Sequence, residues 1–346
     1  PERLANPRFS RSVLQVLLPR LGLFVIDEAH CISSWGHDFR PDYQRIARLL
    51  LENPSLPVLA TTATANERVT ADVAAQLGPE TLVLRGRLAR ESLHLGVVDG
   101  LSPLGRFAWI DGVLRSLPGS GIVYCLTVAD ADRLAAFLQS RGHEVAAYTG
   151  STDADDRRRI EDQLKYNQLK AVVATSALGM GYDKPDLAFC VHVGSPSSPV
   201  DYYQQIGRAG RALDTALVVL LPGDSDEKLW EWFATSSVPD PDEASRALNA
   251  LHRASEETPD GVMTQPQLET ATGIRRGRLE MLLKILAVDG AVTRETGGWY
   301  ATGAPWSYDS AKYAAVVAAR RAEADLMREY ARGHDCLEVL LRRALD

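Results

Sequence analysis

The 346-residue sequence predicts an α/β fold: two parallel-sheet lobes, the first of them truncated, followed by a smaller α+β region of three helices and a two-stranded wing. Three observations lead there. Short apolar runs recur at residues 23–26, 56–60, 121–125, 145–148, 171–174, 189–193 and 217–221, as strands covered on both faces require. Helix-like segments separate the runs of the second lobe, at 129–140 and 154–166, so its strands are expected to lie parallel with right-handed crossovers. From Pro239 the composition shifts toward helical patterns that end at a glycine pair, Gly297-Gly298.

Composition bounds the possibilities. At 45% hydrophobic and 24% charged residues, the chain is ordinary and long enough for two or three domains. A formal net charge of -7 repels phosphate as a whole-molecule field, so any nucleic-acid contact is expected from local patches. Cys31, Cys125, Cys190 and Cys336 are far apart with no CxxC pair, which excludes a disulfide framework and a complete zinc site. Without a membrane-length apolar run or a signal peptide, the expected location is the cytoplasm, with no membrane partner and a monomeric state.

In the first lobe, residues 6–18 are a candidate helix and 23–26 a strand ending in Asp27 and Glu28. At the carboxyl end of a parallel strand, an acid pair suits two tasks: Asp27 holding Mg²⁺ through water, and Glu28 orienting or deprotonating an attacking water. The pair could equally open a helix, where acids are favourable. Trp35, His37, Phe39 and Arg40 follow on a segment broken by Gly36 and Pro41, suited to stacking bases and gripping a backbone. A helix is expected over 45–51 and a strand over 56–60. Thr61, Thr62 and Thr64 come next, a hydroxyl run that by itself could be a helix N-cap. Residues 67–77 form a helix closed by Gly78-Pro79, 82–84 and 93–98 are strand-like, and 100–105 is the expected hinge. No GxxxxGK[ST] loop occurs, so no backbone cradle or lysine is available for ATP phosphates.

The second lobe carries two anchors. ATSALGMGYDKPD (174–186) has glycines, Gly181 among them, that permit close backbone approach, while Thr175, Ser176, Asp183 and Lys184 offer polar contacts to a DNA backbone or a nucleotide edge. A tight turn is the alternative. In QQIGRAGR (204–211), Gly207 and Gly210 hold the backbone tight and Arg208 and Arg211, three apart, project on one side. Two forked, always-charged donors suit the charge developing on a γ-phosphate.

Trp230, Trp232 and Phe233 are expected to pack the end of this lobe. Beyond them come an amphipathic helix at 243–254, a capping box at Thr264-Gln265-Pro266-Gln267 opening a helix that ends near Gly273, a third helix at 274–287, and a hairpin at 290–302 turning at Gly297-Gly298. That order is a winged helix. Arg275, Arg276, Arg278 and Lys284 on its third helix face a single acid, Glu280, and are candidates for gripping duplex DNA; winged helices also serve as protein contacts. Residues 309–332 read as a long helix.

From Asp27 to Asp42 the sequence, DEAHCISSWGHDFRPD, closely resembles the RecQ family of DNA helicases, whose Walker B motif DEAH runs into an aromatic-rich loop. The string 174–186 is similar to the family's motif V with Leu178 and Tyr182 substituted, and Q-x-x-G-R-x-G-R matches motif VI of superfamily-two helicases. Thr61 to Ala65 resembles motif III with Thr61 replacing a leucine, and Arg90 alone matches an Arg-Pro-Asn element.

The resemblance implies two RecA-like lobes and an ATP-dependent 3′ to 5′ DNA helicase that couples ATP hydrolysis to translocation on single-stranded DNA and duplex unwinding in repair and recombination. It implies ATP and Mg²⁺ as cofactors and single-stranded and duplex DNA as partners. Asp27, Glu28, Arg208 and Arg211 would be catalytic, the arginines acting as fingers across the lobes. Asp27, His30, Gly181, Asp183 and Gln204 would meet nucleotide, and Thr62, Thr64, Thr175 and Lys184 would serve the DNA track.

In the family the phosphate loop lies upstream of PERL (1–4), so the sequence is expected to be a fragment inactive alone. Cys336 followed by LEVLL resembles the first of four zinc ligands, the rest lying beyond Asp346, with Zn²⁺ held only in the complete protein. A winged helix before that cysteine suggests a divergent bacterial branch. The expected domains are the end of the first lobe at 1–100, the second lobe at 101–236, the winged helix at 237–305, and a long helix opening a zinc module at 306–346. The rivals are an RNA-acting DExH motor and an inert winged-helix scaffold.

Overall fold

The computed structural model describes residues 2–33, 41–86, 88, 90–178, 182–236, 238–257, 261–295 and 297–345. They form two compact units, one of residues 1–84 with 234–319 and one of 85–233 with 320–346. Among them no helix is long and apolar enough to cross a membrane.

The chain enters through short helical turns between Glu2 and Arg20 whose pitch changes along the run. A single helix over 6–18 does not form; no acid stands in the first turn of its pieces to complement a helix dipole. Strand β1 (Phe24–Ile26) follows, then α1 (Pro41–Glu52), β2 (Val58–Ala60) and α2 (Glu67–Leu77). β1 and β2 pair in parallel, with Phe24 opposite Val58 and Ile26 opposite Ala60. Ile26, Ile46, Leu50, Val69 and Val73 close a core on one face only. The opposite face is open, Val25 being 55% and Leu59 48% exposed, so the expected cover on both faces is absent among the described residues.

The second unit is built on a six-stranded sheet in the order β3-β8-β7-β4-β6-β5 (the ranges follow), with every neighbouring pair parallel. Its elements are β3 (Leu93–Val97), α3 (Pro103–Leu114), β4 (Ser120–Cys125), α4 (Val128–Ser140), β5 (Val145–Tyr148), α5 (Ala154–Lys165), β6 (Ala171–Ala174), β7 (Leu187–Val193), α6 (Pro199–Ile206) and β8 (Ala216–Leu221). Separate apolar clusters cover the two sheet faces. β4, β6 and β7 are buried throughout, as their unbroken apolar runs require. Ser102, Thr127, Asp153 and Ser198 cap α3 to α6 by accepting backbone N–H bonds. β3, expected to end the first lobe, is the edge strand here, Leu93 pairing with Ala216. The division therefore falls between Leu84 and Arg85 rather than at 100–105.

Helix α7 (Asp226–Ser236) follows, then α8 (Pro241–Glu257), α9 (Gln265–Thr272), α10 (Arg276–Val288), β9 (Val292–Glu295) and β10 (Gly298–Ala301). Helix, helix, helix, hairpin is the expected order, and Gln267 Oε1 accepts the Thr264 N–H at 2.7 Å in the capping box. α10 packs against α1 of the same unit. Gly298, expected in the hairpin turn, instead pairs with Glu295 and belongs to β10. Its glycine serves a close approach, because a Cβ there would lie 2.2 Å from the Met263 carbonyl oxygen.

Helix α11 (Ser310–Arg332) sends Ala324, Met327 and Tyr330 into the core of the second unit, and α12 (Leu337–Leu345) adds Leu341. The stretch after Cys336, expected to open a separate zinc module, instead helps close that core.

Candidate active site

Asp27 stands at the carboxyl end of β1. Its Oδ1 accepts the Glu28 backbone N–H at 2.9 Å and the Thr61 hydroxyl at 2.9 Å, which fixes the carboxylate while the residue stays exposed. A hard oxygen donor held this way fits Mg²⁺, which takes one or two carboxylates and completes its shell with water and substrate phosphates. Thr61, the position where leucine was expected, thus orients the acid; only a hydroxyl in place of an apolar residue signalled this in the sequence.

Glu28 adopts a left-handed backbone, φ 52° and ψ 48°. For a residue with a Cβ this costs about 1–2 kcal/mol, and strain of this kind persists where surrounding structure enforces it. His30 is buried beneath it at 1% exposure. Its Nδ1 lies 3.3 Å from Glu28 Oε2 and 2.9 Å from Thr62 Oγ1, and its Nε2 lies 3.5 Å from Cys31 Sγ. Thr62 Oγ1 also accepts the Thr64 N–H at 3.3 Å, and Thr64 is buried. His30, expected to touch nucleotide, links Glu28 to Thr62; Thr62 itself stays exposed, and Thr64 joins through its backbone N–H.

The arginine turn belongs to the second unit. Arg208 is buried, donates from Nη1 to the Tyr182 carbonyl at 3.0 Å, and has no hydrogen-bond partner for Nε among the described residues. The buried Tyr124 hydroxyl lies beside this guanidinium, and desolvation pushes its phenol up despite the Arg208 charge. A buried donor left unpaired costs about 1–3 kcal/mol. Arg211 donates to Asp183 Oδ1 at 2.7 Å and to the Gly207 carbonyl at 3.2 Å, so Asp183 is occupied by an arginine. Gln204 is half-buried on α6. Beside it, Gln205 Oε1 lies 2.9 Å from His192 Nε2. Burial holds that imidazole down to about 4.

The candidates for nucleic acid fare unevenly. Trp35, His37, Phe39, Arg40 and Gly181 lie outside the described residues. Lys184 is 2% exposed, with Nζ 2.5 Å from Asp186 Oδ1; the ion pair holds the Asp186 carboxyl below the usual range, and the ammonium is not presented to a phosphate. Thr175 is buried and caps its own turn by accepting the Ala177 N–H at 3.4 Å. Arg278 is spent on structure, reaching Glu243 Oε2 at 2.8 Å, the Val238 carbonyl at 2.8 Å and the Ser236 carbonyl. Arg275 and Arg276 are exposed, Arg276 pairing with Glu280 at 3.3 Å. Cys336 is exposed, and no group of three or more His, Cys, Asp or Glu arranged for a metal occurs among the described residues.

Residues 1–73 match the model of the DEAD/DEAH box helicase family, and 106–213 match that of the helicase conserved C-terminal domain. The chain is 39% identical over 216 residues to ATP-dependent DNA helicase Q-like 4B of Arabidopsis thaliana, covering 61% of this chain and 19% of that protein. It is 33% identical over 252 residues to ATP-dependent DNA helicase RecQ of Pasteurella multocida, covering 72% of this chain and 39% of that protein. It thus spans less than half the length of either relative.

Among solved structures, Mycobacterium smegmatis helicase Lhr bound to ssDNA and AMP-PNP superposes with a TM-score of 0.53 at 20% identity, covering 92% of this chain and 47% of that one. S. cerevisiae Dbp5 bound to RNA and ADP BeF3 gives 0.52 at 20% identity, covering 64% and 60%. These two likenesses establish the fold, α/β lobes of the RecA-like helicase type. With a helicase family model on each motif-bearing segment, and relatives named DNA helicase Q-like 4B in a plant and DNA helicase RecQ in a bacterium, the chain belongs to the RecQ-like DNA helicase family.

Proposed function

We propose that this chain is the motor portion of an ATP-dependent DNA helicase that moves 3′ to 5′ on single-stranded DNA and separates duplex in the cytoplasm during repair and recombination. The observation that carries the proposal is the arrangement at the end of β1. One carboxylate, Asp27, is fixed and exposed by Thr61, and the next, Glu28, is set in a left-handed turn over His30 and Thr62. An inert scaffold has no need for either expense.

Mg²⁺ bound at Asp27 would neutralise charge on the β- and γ-phosphates. Glu28 would orient the attacking water and take its proton, with His30 holding the carboxylate's direction. Arg208 and Arg211 would stabilise charge on the transferring phosphoryl group. No phosphate loop occurs in the sequence, so the assignment concerns the full-length protein.

The test is ATP hydrolysis by the full-length protein with and without single-stranded DNA. Glu28→Gln should lower the DNA-stimulated rate by about 10²–10⁴-fold, the usual worth of a general base, while fluorescent-nucleotide affinity stays near wild type. Undiminished turnover would remove Glu28 from the chemistry. Stronger stimulation by RNA than by DNA would favour the RNA-acting motor.

A further inference from the structure

The segment that enters the second unit from Arg85 is bonded to the arginine turn at alternate residues. The Tyr203 hydroxyl donates to the Leu88 carbonyl. Arg90 Nη1 donates to the Gly207 carbonyl at 2.5 Å, and Ser92 Oγ donates to the Gly210 carbonyl at 2.8 Å. The Ser92 carbonyl then accepts the Ala216 N–H at 2.7 Å, where β3 begins to pair with β8.

The Arg90 carbonyl accepts the Leu93 N–H at 3.1 Å, so the entering chain turns over residues 90–93 beside the arginine turn, just before β3 begins. Tyr203 lies on the last turn of α6, and the Gly207 N–H bonds back to its carbonyl at 2.8 Å as the helix ends. Gly207 and Gly210 lie past the end of α6, where carbonyls have no helical N–H to bond. Gly210 also has φ 65°, and a Cβ on it would meet Ser92 Oγ at 2.9 Å and Ala216 Cβ at 3.0 Å. The Gly207 carbonyl receives two guanidinium donors, Arg90 and Arg211, so a side chain of the entering segment and a candidate catalytic arginine share one acceptor.

We propose that Arg90 is a positioning residue, locking the turn that carries Arg208 and Arg211 to the entering segment so that both guanidinium groups are held for phosphoryl transfer. This rests on the ATP-driven reading above. Arg90 itself touches no reacting atom; it acts through the Gly207 carbonyl. A helix-capping role alone would affect stability, whereas positioning affects turnover at unchanged substrate affinity.

The experiment compares full-length wild type, Arg90→Ala, Arg90→Lys and Ser92→Ala by hydrogen–deuterium exchange over residues 206–212 and by steady-state hydrolysis of ATP with single-stranded DNA. Arg90→Ala should speed exchange in that segment about tenfold while β4 and β7 stay protected. It should lower kcat between about ten- and a hundredfold, the scale of a small misplacement, with KM for ATP within about twofold. Arg90→Lys, which keeps a donor, should recover most of both.

Unchanged exchange in Arg90→Ala overturns the lock whether or not the wild type hydrolyses ATP. A loosened turn with wild-type kcat overturns the positioning role. A wild type without DNA-stimulated hydrolysis, whose turn still loosens in Arg90→Ala, supports the lock and contradicts the motor reading instead. If Arg90→Ala fails to fold, Arg90→Lys and Ser92→Ala decide: faster exchange over 206–212 in Ser92→Ala supports the lock, and none in either variant overturns it.

Discussion

Charge matters at single residues here only where its neighbours leave it available. Asp27 is exposed and oriented, while Lys184, a cation of equal nominal promise, is consumed by Asp186 and buried. From sequence the two were alike, polar residues on motif-bearing loops, because burial of a single lysine depends on contacts that a linear motif does not encode. Asp27, Glu28, Arg208 and Arg211 stand out in the sequence through the spacing within their motifs. The partners of Thr61 and Arg90 were not legible, since they lie 34 and 117 positions away.

His192 belongs to the same scale. Its imidazole is buried, stacks on Tyr124 with ring centroids 5.1 Å apart, and stays neutral down to about pH 4, against an ordinary value of 6.5. Between those values the unfolded chain binds a proton that the folded chain refuses, so stability is full above pH 6.5 and falls as the pH drops toward 4. The loss attributable to this group is about 3 kcal/mol at most. Urea unfolding of wild type and His192→Gln between pH 7 and 4.5 should show a shallower acid limb in the variant; parallel limbs would place the loss elsewhere.

At the level of elements, the second sheet was readable almost strand by strand, since buried parallel strands write themselves as unbroken apolar runs. β3 was assigned to the wrong lobe because a strand's apolar pattern does not say which sheet it joins; the ladder from Leu93–Ala216 to Val97–Leu220 does. The wing hairpin shows a related limit. Adjacent glycines suggested a turn at both, yet Gly297 has φ 113° and serves the turn while Gly298 makes room for Met263. Gly298→Ala should therefore destabilise the unit containing the hairpin by about 1–3 kcal/mol, the usual cost of overpacking. Thermal unfolding checks it, and an unshifted midpoint would mean that the Met263–Trp299 bridge yields without cost.

At the level of the whole molecule, a net charge of -7 leaves no general basic surface, so under the proposed function nucleic acid would be met through limited patches. Of the basic residues expected on the third helix of the wing region, Arg278 is committed internally while Arg275 and Arg276 remain exposed. Any grip there would be weak and salt-sensitive. The decisive measurement is strand displacement by the full-length protein on otherwise identical duplexes bearing a 3′ or a 5′ single-stranded DNA tail. Displacement from the 3′-tailed duplex alone, requiring both ATP and Mg²⁺, is the predicted result; displacement without ATP, or only from RNA-tailed substrates, would contradict an ATP-driven DNA helicase.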